Sequence, residues 1–70
     1  MKKRELLKRL NKTAAANDLG FDLVRQGANH EVWQIGSQRL IIPRHSEINE
    51  MTAAGILKTA AKEVAGNDET

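Results

Sequence analysis

The stretch "HEVWQIGSQRLIIP", residues 30–43, decides the fold. Val32, Trp33 and Ile35 lie on one side of Gly36-Ser37, and Leu40, Ile41 and Ile42 on the other. Two short runs of β-branched, aromatic and aliphatic residues around a two-residue break read as strands joined by a tight turn. Such a turn needs a positive φ at its first position, and Gly36 takes it without steric strain. Successive side chains of a strand alternate between faces, so Glu31, Trp33 and Ile35 share one side and His30, Val32 and Gln34 the other. Trp33 therefore reads as core. Pro43 has no N–H to give to a ladder, so it closes the last strand or lies at a sheet edge.

Upstream, Phe21, Leu23 and Val24 in "FDLVRQ" form a further extended run, separated from His30 by "GAN". The three runs predict an antiparallel meander. Before them, residues 3–16 place Leu6, Leu7, Leu10 and Ala14 at helical spacing, with Lys3, Lys8, Arg9 and Lys12 mostly on the opposite side. This helix is expected to fray near Asn17 and stop before Gly20, the residue best suited to a left-handed end. Downstream, "RHSEINEM" reads as a connecting loop, and Thr52 as the N-cap of a second helix. In that helix Ala53, Ile56, Leu57, Ala60, Ala61 and Val64 recur every three or four residues before Gly66. Two amphipathic helices and one three-stranded sheet are best buried as two layers, both helices on one sheet face. The expected fold is α+β, α-β-β-β-α, double-stranded-RNA-binding-domain-like, in a single unit over residues 1–66 with a polar tail at 67–70.

With 70 residues and no cysteine, the chain has room for one domain and no disulfide to brace it. A partner is the expected prop, and the cytoplasm the expected location. Charges at Lys8, Arg9 and Lys12 interrupt any apolar signal-peptide segment, and no run approaches a membrane span. The net charge of +2 conceals an asymmetry: residues 2–12 carry six Lys or Arg against Glu5 alone, whereas the acids cluster after residue 45. A basic helix of this kind suits a phosphate backbone or an acidic protein, or is simply a solvated face.

Few residues can do chemistry. His30 and His45, with Glu31 or Glu47, show no HxxxH or HExxH spacing, so no metal is expected. Ser37 and Ser46 lack a nucleophile-elbow context, and Gly27 opens no phosphate-cradling GxxxxGK[ST] loop. Proton transfer by an imidazole remains, since its ordinary pKa of about 6.5 lets it act as acid or base near neutrality. RNA cleavage needs that chemistry: a 2′-hydroxyl must lose a proton, a 5′-oxygen must gain one, and cations must stabilise the non-bridging oxygens. His30 is the candidate catalyst, with Arg25, Arg39 and Arg44 as phosphate clamps and the Lys3, Lys8, Arg9 and Lys12 helix as a track. No cofactor is required. By spacing alone, a histidine opening a strand is more often a hairpin residue than a catalyst, and the arginines serve equally as solvated cross-strand charges.

"LGFDLVRQGANHEVWQIGSQRLIIPRHSEINEMTAAGILKTA", residues 19–60, resembles the HicA toxin family of type II toxin–antitoxin systems. Gly20-Phe21 entering the first strand, Gly27 to His30 opening the second, Pro43 to His45 ending the third, and a Thr52-led helix with Ile56 to Lys58 follow the family's order. The resemblance implies a metal-independent endoribonuclease that cleaves mRNA and blocks translation, and a HicB-type antitoxin that masks the catalytic histidine. By position that histidine is His30, supported by Gly27 and Asn29, with His45 structural or substrate-positioning. The family's usual Gly-Ser-His here reads Gly27-Ala28-Asn29-His30, and "NKTAAAND" lengthens the link between first helix and first strand. The competing expectations are a non-catalytic RNA- or antitoxin-binding module of the same fold, and a decayed toxin kept as an antitoxin-binding surface.

Overall fold

A computed structural model describes residues 1–66; the polar tail expected at 67–70 lies outside the described residues. The elements run α1 (Lys3–Ala16), β1 (Phe21–Gln26), β2 (His30–Ile35), β3 (Gln38–Pro43) and α2 (Glu50–Gly66). The strands form one antiparallel sheet in the order β1-β2-β3. Ile35 pairs with Gln38 around the two-residue turn, and Gly36 takes φ +58°, so the hairpin closes as its sequence requires. Pro43 ends β3, an edge strand, opposite His30.

Both helices cover one face. Leu6, Leu10 and Ala14 of α1, and Ala53, Ile56 and Ala60 of α2, are buried with Ile35, Leu40 and Ile42 of the sheet. Trp33 joins from the same face, half-buried and stacked on Phe21 with ring centroids 4.8 Å apart. On the other face Arg39 and Ile41 remain exposed. The fold is thus a two-layer α+β arrangement in which side-chain alternation along β2 and β3 assigns each residue to the core or to the open face.

Three local features depart from the expectations. Lys3 lies on the buried stripe rather than the solvated side of α1, because it stands three and seven residues before Leu6 and Leu10; its side chain is 17% exposed. The left-handed residue after α1 is Asp18, at φ 57°, not Gly20. The Leu19 N–H bonds the Ala14 carbonyl at 2.8 Å and the Asp18 N–H that of Ala15 at 3.3 Å, a Schellman end that turns Leu19 onto the core. The N-cap of α2 is Asn49: its Oδ1 accepts the Met51 and Thr52 N–H groups at 2.8 and 3.4 Å. Just before it, Ile48, expected in a loop, is only 2% exposed. Its segment pairs with the start of the chain, Lys3 N–H to Ser46 carbonyl and Ile48 N–H to Met1 carbonyl, both at 2.8 Å.

Candidate functional site

The loop from Gly27 to Asn29 is built to present His30. The Gly27 N–H bonds the His30 carbonyl at 2.8 Å, closing the loop so tightly that a Cβ at Gly27 would meet that oxygen at 3.0 Å. Arg44 fixes the loop from the neighbouring strand's exit. Its backbone N–H donates to the Asn29 carbonyl at 3.1 Å, and its Nη1 to the carbonyls of Gly27 and Ala28 at 2.9 and 3.5 Å. His30 then opens β2, paired with Pro43, and alternation sends its exposed ring to the open face while Glu31 turns inward. There it lines a shallow depression of about 290 Å³ with Arg25, Gly27, Asn29, Val32 and Ile41.

The other candidate residues divide between this depression and the rest of the molecule. Arg25 pairs with Val32 across the β1–β2 ladder, displaced by a bulge after Leu23, and its exposed side chain shares the depression with His30. His45 is exposed in the turn that follows Pro43. Arg44 is engaged in holding the loop. Lys3 reaches the Glu31 carboxylate at 2.8 Å, Arg9 pairs with Glu5 at 3.2 Å, and the Arg39 Nε donates to the Gln34 Oε1 at 3.0 Å. Gln34 lies four residues along β2 from His30, roughly 13 Å. Lys8 and Lys12 are exposed on α1, in the layer behind the sheet, and make no ion pair among the described residues. Among the described residues, no three His, Asp or Glu side chains converge on a point that would hold a metal ion.

Sequence reasoning weighed Glu31 only as a metal ligand, not as a support for the loop. Glu31 is 5% exposed beneath the loop, and its two oxygens accept from Lys3 Nζ at 2.8 Å, Trp33 Nε1 at 2.9 Å and Gln26 Nε2 at 3.2 Å, with Arg44 Nε 3.9 Å away. Burial pushes its carboxyl up, but the bonds from Lys3, Trp33 and Gln26 outweigh that and hold it at about 2. It is therefore a carboxylate that ties α1, β1 and the exit of β3 together under His30. The signal was an acid in phase with Trp33 and Ile35, on the side assigned to the core. No family model, curated protein or solved structure matches the chain.

Proposed function

We propose that this protein is a HicA-type toxin, an endoribonuclease that cleaves mRNA without a metal and so blocks translation. The observation that carries this reading is an exposed imidazole on a braced loop, sharing its depression with a guanidinium. His30 moves the proton, taking it from the 2′-hydroxyl or giving it to the leaving 5′-oxygen, and Arg25 stabilises charge on the phosphoryl oxygens. Gly27 and Asn29 shape the wall of the depression, and Arg44 keeps the loop in place rather than meeting the phosphate. The resemblance over residues 19–60 supports the same assignment and adds the expectation of a HicB-type antitoxin covering His30 in the cytoplasm.

Acid–base help from one side chain accelerates a reaction by typically ~10²–10⁴-fold. Purified protein incubated with RNA in EDTA is expected to produce fragments, and His30→Gln to lower the rate by about that factor while circular dichroism stays that of the parent. Equal cleavage by a folded His30→Gln protein removes the catalytic role. One observation favours a second reading, a non-catalytic RNA- or antitoxin-binding module: of the cations expected to clamp phosphate, only Arg25 lines the depression with His30. RNA retained on the protein but unbroken in EDTA, with or without added metal, selects the module.

A further inference from the structure

Three cations of α1 are arranged in a way that neither helix stability nor packing accounts for. Arg4, Lys8 and Lys12 are exposed and follow one another at intervals of four residues, so they stack in a single row along the helix. Like charges at that spacing oppose helix formation. Arg4 also stands in the first turn of α1, where the helix dipole is already positive, and the last turn holds no cation. Of the neighbouring charges, Glu5 is taken up by Arg9 and Lys2 by Glu47, whereas Arg4, Lys8 and Lys12 have no ion-pair partner among the described residues. Unpaired like charges at consecutive turns break a local rule without a structural gain, as functional surfaces do.

The row also leads somewhere. A crevice lined by Arg4, Lys8 and Lys12, together with Lys2 and the paired Glu5 and Arg9, shares Lys2 and Arg4 with a larger cleft of about 670 Å³ at the N-terminal end of α1, which Arg44 also lines. Arg44 in turn holds Gly27 and Ala28, which wall the depression of His30. We propose that a single RNA strand runs along the Arg4–Lys8–Lys12 row, rounds the molecule through the Arg44 cleft and enters the His30 depression, so that α1 binds the strand at a distance from the bond to be cut. The row is roughly 12 Å long from Arg4 to Lys12. This inference rests on the ribonuclease reading for its end point, and its binding half stands by itself.

Binding of a labelled RNA strand of about 20 nucleotides, long enough to span the charged groove, is measured on His30→Gln protein, which prevents turnover, and on the same protein carrying Arg4→Gln, Lys8→Gln and Lys12→Gln. Each phosphate contact on a single strand contributes about 0.7 to the slope of log affinity against log salt, so three contacts contribute about 2. The triple variant is expected to lose that much slope: between roughly 50 and 200 mM salt its affinity falls roughly 20-fold less than that of its parent. Lys58→Gln with Lys62→Gln, exposed cations of α2, is expected to leave the slope unchanged. A trinucleotide is too short to reach both ends, so the advantage of the long strand over it is expected to vanish in the triple variant. An unchanged slope, an equal loss in the Lys58/Lys62 control, or displacement of polyglutamate but not RNA from the row overturns the proposal, the last by making α1 a protein-binding surface. If the parent protein cuts no RNA while the slope still falls, the ribonuclease reading fails and the strand path along α1 survives; if RNA is cut and the slope is unchanged, the ribonuclease reading survives and the strand path fails.

Discussion

A single buried carboxylate supports the loop that carries His30. Glu31 cannot be removed cheaply, because its loss leaves the Lys3 ammonium, 17% exposed, and the Trp33 and Gln26 N–H groups without their acceptor. With its carboxyl held at about 2 against an ordinary 4.5, the folded form binds its proton less readily than the unfolded form does. Glu31 therefore contributes stability that is fully present above about pH 4.5 and is lost as the pH falls toward 2, on the order of 3 kcal/mol in all. Glu31→Gln is expected to lower the unfolding free energy by about that amount at pH 7, and the gap to the parent is expected to close as urea titrations are repeated toward pH 2. A gap of constant size down to pH 2 would assign the loss to packing or amide geometry instead of charge. His30, by contrast, is exposed and its side chain is unbonded to any described residue, so His30→Gln is expected to leave the urea midpoint within about 0.5 kcal/mol of the parent. The two neighbours on β2 thus differ in what their loss costs by the face each occupies, Glu31 inward and His30 outward.

At the scale of elements, α2 begins where its cap is, and the cap can be tested directly. Asn49 accepts two N–H groups through its side chain, while Thr52 sits at the third helical position with an exposed side chain. Asn49→Ala is expected to destabilise the protein by about 1 kcal/mol and Thr52→Ala by less than about half of that, read from urea midpoints. The opposite ranking would place the start of α2 at Thr52. The strands, the Gly36 turn and both apolar stripes were legible in the sequence because they rest on periods of two and of 3.6 residues, which any window reveals. The capping residues were not, because a cap depends on which of several eligible side chains the loop brings into reach: Asn49 and Thr52 are both good candidates, as are Asp18 and Gly20 for the left-handed position. Ile48 and Glu31 escaped for a related reason. Ile48 is buried by pairing with the start of the chain some forty residues earlier, and Glu31 is made tolerable in the interior by Lys3 of another element. His30 and Arg25 could be proposed from residue type, but that Arg44 braces the loop while Arg39 lies elsewhere on the sheet follows only from strand register.

For the whole molecule, a chain of this size sets small totals against each other. Globular proteins hold roughly 0.05–0.15 kcal/mol per residue, which for the described residues is about 3–10 kcal/mol. The core that supplies it is one sandwich of ten buried apolar side chains, with Leu6, Leu10, Ile35, Ile42 and Ile48 fully enclosed. His30 stands on one outer surface of this sandwich and the α1 cations on the other, so the proposed strand path between them requires the two layers to stay packed. Leu10→Ala removes side-chain volume at the contact between them and is expected to cost about 2–5 kcal/mol, a large part of the total. Two probes report on the two layers: far-ultraviolet circular dichroism is dominated by the helices, and the fluorescence of Trp33, the only tryptophan, reports on the sheet where it stacks on Phe21. If the layers form one cooperative unit, both signals in Leu10→Ala shift to the same lower urea midpoint with the slope of the parent. Loss of the helical signal ahead of Trp33 would mean that the sheet persists without the helices, and the proposed path along α1 would then be lost at urea concentrations where the His30 loop is still in place.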